Sequence, residues 1–344
     1  MIEEVIGQLS SGEDLTAVQM QAVMEEIMTG RASTPLIVSF LTSLNKKGET
    51  ASELTAAVSV MRRYVTRIKT DKEVILDTCG TGGDRKGTFN VSTAAAFVVA
   101  GCGITVAKHG NRSVSSCCGS ADILEELGIN INMSVQDLER CLDEIGIAFL
   151  FAQNLHPAMK YAMPARKQIG SRTMFNILGP LTNPAGATHQ LLGVYDRRWT
   201  EVLAQALGNL GTKHALVVYG EDGLDEITTT EATFISEEYA GKIKNYRVSP
   251  EDFGFKRAGL SDLAGGTVVD NARILLSVLN GESGPKRDIV LLNAAAAIYA
   301  ADKAKSVQEG LELAKKSIDS KKALQKLELL KAFSSKSKIS NGKN

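Results

Sequence analysis

The stretch Val74 to Gly128, VILDTCGTGGDRKGTFNVSTAAAFVVAGCGITVAKHGNRSVSSCCGSADILEELG, reads as strand, glycine-rich loop, helix, strand, polar loop and helix. Val74-Ile75-Leu76 is an apolar run long enough for a buried strand. The following loop holds Gly80, Gly82, Gly83 and Gly87, with Asp84, Arg85 and Lys86 among them. Asn90 suits an N-cap for the alanine-rich segment from Val91 to Ala100, and Gly101 and Gly103 suit its end. Ile104 to Ala107 is a second apolar run, with Lys108-His109-Gly110-Asn111-Arg112 at its carboxyl end. One βαβ unit of this kind delivers both polar loops to the same edge of a parallel sheet, where such folds bind ligands.

The chemistry of these loops fits a phosphorylated ligand. Glycines let backbone N–H groups approach phosphate oxygens, and a helix start adds its positive end. Lys108, His109, Arg112, Arg85 and Lys86 supply cationic groups, and Ser113, Ser115, Ser116 and Ser120 supply hydroxyl donors. The loop lacks the Gly-Lys-Ser/Thr ending of a P-loop and does not fit G-x-G-x-x-G, so the sequence indicates neither an NTPase nor a dinucleotide dehydrogenase. The plainer alternative is a tight strand-to-helix turn with solvated charges.

Upstream, residues 1 to 68 carry only helical signals. Thr16-x-x-Gln19 and Thr50-x-x-Glu53 have capping-box form, and Thr34-Pro35 resembles an N-cap followed by proline. Val18, Val23 and Ile27, then Ile37, Phe40, Leu41 and Leu44, recur at helical spacing. Part of this apolar surface is read as a dimer face, with purely intrachain packing as the alternative. Downstream, Ile129 to Ile131 and Ala148 to Phe151 read as strands. Residues 154–166 are read as helical, and two X-Pro steps in Gly179-Pro180-Leu181-Thr182-Asn183-Pro184 suggest a crossing between domains. His214 to Tyr219 reads as another buried strand. It delivers Gly220-Glu221-Asp222-Gly223-Leu224-Asp225-Glu226, where Asp225 and Glu226 offer hard oxygen ligands suited to Mg²⁺. A solvated acidic turn is the alternative there. Helices are expected over 271–279, 288–301 and 303–333, and a disordered tail over 334–344.

With 344 residues, 44% hydrophobic and 23% charged, the chain suits a globular protein of about two domains. Lys+Arg and Asp+Glu both number 39, so net charge gives no reason to expect nucleic acid or a membrane surface. Any anionic substrate must be drawn by local groups. Five cysteines without a C-x-x-C pair read as reduced thiols in a cytoplasmic protein, Cys117-Cys118 being small residues that fill space. No apolar run reaches membrane-spanning length.

Four motifs together resemble the anthranilate phosphoribosyltransferase family: Asp77-Thr78-Cys79-Gly80-Thr81-Gly82-Gly83-Asp84, Asn90-Val91-Ser92-Thr93, Lys108-His109-Gly110-Asn111-Arg112 and Gly119-Ser120-Ala121-Asp122. The resemblance extends to about residue 333. It implies an α/β large domain with a central, mainly parallel sheet flanked by helices, plus a smaller all-α domain. The helical domain would take residues 1–68, joined by helices from about 155–182, and the α/β domain residues 72–154 and 183–333. The implied reaction joins phosphoribosyl pyrophosphate (PRPP) to anthranilate. Matched positions imply a PRPP site of Gly80, Gly83, Asp84, Thr88, Asn90, Val91, Ser92, Thr93, Lys108, His109, Gly110, Asn111, Arg112, Ser113, Val114, Ser115, Ser116 and Ser120. Gly80, Asn111 and Arg166 would orient anthranilate, and Ser92, Asp225 and Glu226 would hold Mg²⁺, two ions per subunit of a homodimer. By itself Arg166 reads as a surface cation. His109 is the one candidate general base, against a structural, hydrogen-bonded histidine. Three other readings are weighed: a pyrimidine nucleoside phosphorylase of related fold, a non-catalytic relative that binds nucleic acid, and a bare helical oligomerisation module, which cannot explain the glycine-rich sheet loops. The Asn111 to Ser116 loop and the Asp225-Glu226 pair argue against the first, and zero net charge against the second.

Overall fold

The computed structural model of the chain describes residues 1–84, 86–113 and 118–340. Four helices open it: α1 (Ile2–Ser10), α2 (Ala17–Met28), α3 (Thr34–Lys47) and α4 (Ala51–Met61). Both expected capping boxes form, Thr16 with Gln19 and Thr50 with Glu53, each satisfying two N–H groups that a helix start leaves open. Glu53, fully buried, also accepts from Leu15 N at 2.9 Å and pairs with Lys47 Nζ at 2.8 Å. The cap of α3 is Ser33 rather than Thr34, which begins the helix.

Then follow β1 (Ile75–Gly80), α5 (Val91–Gly101), β2 (Thr105–Gly110), α6 (Ser120–Glu126), α7 (Val135–Glu144) and β3 (Ile147–Phe151). The short helices α8 (Ala152–Leu155), α9 (Met163–Ile169) and α10 (Phe175–Leu178), with two 3-10 turns, lead to β4 (His189–Gly193). After α11 (Trp199–Asn209) come β5 (His214–Gly220), β6 (Thr233–Tyr239) and β7 (Lys242–Val248), then α12 (Val268–Leu279), α13 (Pro285–Ala300), α14 (Val307–Asp319) and α15 (Lys322–Ser340).

The strands form one sheet in the order β3-β2-β1-β4-β5-β6-β7, parallel from β3 to β5 and closed by the antiparallel strands β6 and β7. One apolar core lies on the α5, α13, α14 and α15 side. Ala94 to Ala96 and Ala294 to Ala297 are fully buried in it, so these helices approach closely. A Cβ on Gly310 would lie 2.4 Å from the Ala295 carbonyl oxygen, which shows how near α14 comes to α13. A second core joins α1–α4, residues 162–181 and α11 to the opposite face of β4 and β5.

Three sequence expectations change. Ile129 and Ile131 are buried without strand pairing, because the intervening Asn130 gives its N–H to Ser334 Oγ at 3.0 Å and β3 already forms the edge. Strands at 189–193, 233–239 and 242–248 are present where the sequence reading names none. The tail expected from 334 is helical to Ser340, anchored by the buried Ser334. Among the described residues no helix is long and apolar enough to cross a membrane.

Candidate active site

β1 pairs with β4 from Leu76–His189 to Gly80–Gly193, but with β2 only at Ile75–Thr105 and Leu76–Val106. β2 stays with β3 up to Gly110–Phe151. β1 and β2 therefore part after Leu76, beside the β1–β4 boundary where the chain order reverses. Two side chains fill the split. Asp77, fully buried, accepts from His109 N at 3.1 Å and from Asn183 Nδ2 at 2.8 Å. Asn183 also donates to Ala107 O at 2.8 Å, tying the crossing segment into the split. Lys108, also buried, donates from Nζ to Thr78 O at 2.5 Å and to Ser92 Oγ at 3.3 Å. Burial pushes the Lys108 ammonium below its ordinary pKa, against the pull of Asp77, Cys79 and Glu226. Burial raises Asp77 to about 6 despite Lys108 and Asn183.

The acidic loop after β5 closes over the same edge. Asp225 Oδ2 accepts from Gly82 N at 2.8 Å, and Glu226 Oε1 accepts from Ser92 N at 3.1 Å. Only glycine fits beneath: a Cβ on Gly80 would sit 2.3 Å from Asp225 Oδ2, and one on Gly193 only 1.6 Å from Asp225 O. Lys108, Ser92, Asp225 and Glu226 are thus one connected group, as the loop placement in the sequence anticipates. Both acidic residues are half-buried as wholes, yet their carboxyl groups lie deep. Burial and then Asp84 raise Asp225 to about 7, and burial and then Asp225 hold Glu226 well above the usual range.

This charge pattern fits a divalent cation. Asp84 lies close enough to Asp225 and Glu226 to raise the pKa of each, Lys108 is the neighbouring buried cation, and Asp84 Oδ2 is buried without a hydrogen-bond partner. Oxygen donors of this kind suit Mg²⁺. Among the described residues no group of three or more His, Cys, Asp or Glu could by itself hold an ion. A cation here would draw further ligands from substrate oxygens and water, which Mg²⁺ commonly does.

The glycine loop is pinned beyond the acidic residues. Gly265 N donates to Gly87 O at 2.9 Å, Thr88 bridges Ala264, and Phe89 N donates to Leu263 O at 3.3 Å. Asn90 caps α5 by position, but its side chain donates to Cys118 O at 3.2 Å, linking the two polar loops. Asn90 Oδ1 and Thr93 Oγ1 are buried without partners. Val91 is buried beside them and offers backbone only. In the second loop, Asn111 O accepts from Ser120 Oγ at 3.3 Å and Gly110 lies against that same hydroxyl. Ser113 N donates to Asp122 Oδ2 at 3.3 Å. Arg112 is committed to Asp122 and Glu125 at 2.9 and 2.5 Å, so it adds little free positive charge. Val114, Ser115 and Ser116 of the expected site, with Arg85 and Cys117, lie outside the described residues.

Comparison with known proteins accounts for this arrangement. Residues 72–324 match the glycosyl transferase family α/β domain and residues 3–65 its helical bundle domain. Anthranilate phosphoribosyltransferase from Symbiobacterium thermophilum is 52% identical, over 96% of this chain and 97% of that protein. The chain belongs to the anthranilate phosphoribosyltransferase family. The crystal structure of the Thermus thermophilus enzyme superposes with a TM-score of 0.91 at 41% identity, covering 96% of this chain and 98% of that one. The Saccharomyces cerevisiae enzyme in complex with PRPP and Mg superposes with a TM-score of 0.88 at 28% identity, covering 97% and 98%.

Within this anthranilate phosphoribosyltransferase frame, two residues need separate treatment. His109 does not stand as an open base. Its Nε2 lies 3.1 Å from His156 Nε2, and burial, then His156, lower its pKa to about 3. A neutral imidazole so reluctant to take a proton is a poor acceptor at pH 7. Arg166, on α9, has no carboxylate partner among the described residues. It lies 5.8 Å from the Phe175 ring centroid, half-buried, with burial lowering its pKa. Four supporting residues escape sequence reasoning: Asp77, Asn183, Gly193 and Asn293. Buried Asn293 on α13 donates to Ile227 O at 2.8 Å and accepts from Ile227 N at 2.9 Å, fixing the backbone next to Glu226.

Proposed function

We propose that this chain transfers the phosphoribosyl group of PRPP to the amine of anthranilate, giving N-(5-phosphoribosyl)anthranilate and pyrophosphate. The observation that carries this reading is the meeting of Lys108, Ser92, Asp225 and Glu226 at one sheet edge. PRPP is a polyanion, and its pyrophosphate departs from C1 of the ribose as positive charge grows on the sugar. A protein serving that step positions the two reactants and neutralises the leaving group.

Gly80, Gly83, Asp84, Thr88, Asn90 to Thr93, Lys108 to Arg112, Ser113 and Ser120 form the PRPP site in this reading. The unpartnered Asn90 Oδ1 and Thr93 Oγ1 support it, since a ligand with hydroxyls would give them partners. Mg²⁺, held by Asp225 and Glu226 with Ser92 alongside, would supply charge neutralisation of the pyrophosphate. We assign two ions per subunit, because three deep carboxylates and a diphosphate exceed the charge of one. Gly80, Asn111 and Arg166 orient anthranilate, the guanidinium facing the carboxylate through parallel hydrogen bonds. The aromatic amine is already neutral at pH 7, so the reaction needs no strong base, in keeping with His109 as a structural residue.

We further assign a homodimer through the helical domain and a cytoplasmic location, on the exposed apolar Val18 and the free thiols of Cys79, Cys102 and Cys141. The assay is direct: with PRPP, anthranilate and Mg²⁺, anthranilate fluorescence should disappear. No consumption of anthranilate, together with turnover of thymidine and phosphate, would replace this reading by the nucleoside phosphorylase.

A further inference from the structure

Three consecutive residues of the glycine loop are tied to three separate parts of the molecule. Thr81 N donates to Gly193 O at 2.9 Å, and Thr81 Oγ1 accepts from Tyr195 N at 3.3 Å. Gly82 N donates to Asp225 Oδ2 at 2.8 Å. Gly83 O accepts from the guanidinium of Arg172. That guanidinium lies over the Tyr195 ring, 3.7 Å from its centroid. A Cβ on Gly83 would come within 2.9 Å of it, so backbone and side chain are in close contact.

Arg172 follows α9, which ends at Gly170 in left-handed backbone, φ 63°. The same helix carries Arg166. Among the described residues no other hydrogen bond or ion pair joins residues 163–174 to residues 80–84. Between these segments opens a cleft of about 570 Å³, lined by Asn45, Gly83, Ser171, Arg172, Tyr195 and Arg198 among others. Arg172 pairs with no carboxylate among the described residues, so its fork is free for the loop. Stacking on Tyr195 holds the plane of that fork and costs it little further ordering.

We infer that Arg172 is a positioning residue for the transfer reaction: set over the Tyr195 ring, it fastens the donor-binding glycine loop to the helix that carries the acceptor-binding arginine. It sets the separation of the two reactants and touches neither. This rests on the assignment of the loop to PRPP and of Arg166 to anthranilate. An error of about 1 Å in such a separation costs on the order of a hundredfold in rate.

The test is a kinetic cycle on the full chain with Arg172→Met, Tyr195→Leu and the double variant, with PRPP, anthranilate and Mg²⁺. Methionine keeps the length and apolar body of the side chain but donates nothing. The expected result for each single variant is a kcat lower by about tenfold to a hundredfold, with both KM values within about threefold of wild type. The double variant should lose no more than the worse single, because both changes release one clamp. Thermal midpoints should stay together, which separates a latch from a general loss of fold. A wild-type kcat for Arg172→Met overturns the inference, as does a loss confined to the KM of one substrate, or additive losses in the double variant. If Arg172→Met yields no folded protein, Arg172→Lys, which keeps the charge but loses the planar fork, is read against the same criteria. Arg166→Ala runs in parallel. An unchanged anthranilate KM there removes the acceptor assignment, while the kcat cycle still reports on the clamp by itself.

Discussion

Gly193 has no motif around it, yet it lies directly under the acidic loop. Alanine there would put Cβ 1.6 Å from a backbone oxygen that cannot rotate away, so the loop must move. Gly193→Ala is expected to lower kcat by about a hundredfold or more while the protein remains folded, read by steady-state kinetics and circular dichroism. A near-native rate would detach Asp225 from the chemistry. Protonation makes a second residue-level prediction. Asp225 titrates at about 7 and Glu226 well above its usual range, so at pH 6 Mg²⁺ must displace protons to bind. The Mg²⁺ concentration giving half-maximal rate should fall as pH rises from 6 through 7, by up to about tenfold per displaced proton and pH unit. A requirement independent of pH would argue for carboxylates already ionised. Lys108, Asp225 and Glu226 were legible in the sequence because each follows a recognisable apolar strand, whereas Ser92, in the first turn of α5, was implied by the family resemblance of its motif. Gly193, Asp77 and Asn183 were not legible, since their importance depends on which strand ends face one another. For His109 the sequence left a base and a structural histidine both open, and its burial and the contact with His156 favour the structural one.

The acidic loop draws its rigidity from an element distant in sequence, α13. Asn293 is followed by four alanines, a pattern that reads as close packing, and it does pack closely. Its amide nevertheless spans Ile227 N and Ile227 O. Asn293→Ala leaves both backbone groups buried and unpaired, at a cost of about 2–4 kcal/mol. Urea denaturation should show that loss, and the Mg²⁺ requirement should rise with it. A destabilised variant with unaltered Mg²⁺ dependence would confine Asn293 to the core. Helix starts were readable because capping is local: Thr16, Gln19, Thr50 and Glu53 sit at fixed spacing. The strands β6 and β7 were not, because Glu237, Glu238, Lys242 and Lys244 mask the alternation in a hairpin near the sheet edge. Ile129 to Ile131 misled in the opposite sense, since an apolar run can pack without pairing.

Across the whole molecule, the sheet carries polar groups at both ends. Opposite the active edge, the buried His214 at the start of β5 lies between Glu237 of β6, at 3.0 Å, and Asp302 beyond α13, at 2.8 Å. His189 at 3.4 Å shares Asp302, and Tyr299 donates to Glu237 at 2.6 Å. Burial acts to lower the His214 pKa, but the hydrogen bonds to Glu237 and Asp302 outweigh it and the net shift is upward. A raised histidine contributes stability that is fully present below its unfolded pKa and is lost as pH rises through the folded value. The denaturation midpoint of wild type should therefore exceed that of His214→Gln most at pH 5.5, with the gap narrowing by pH 8.5. A gap that widens with pH would mean the imidazole is neutral in the fold.

The parting of β1 from β2 after Leu76 has a further consequence for how this chain tolerates insertions. Side chains alternate between faces along β2, and Lys108 reaches Thr78 only from one of them. One extra residue in the short turn at 102–104 that slid β2 by a single step would aim the ammonium at the far side of the sheet and bring an apolar neighbour to the crack. Length variation in this enzyme should thus be absorbed at the outer hairpin, where β6 and β7 can shift without disturbing the reacting groups.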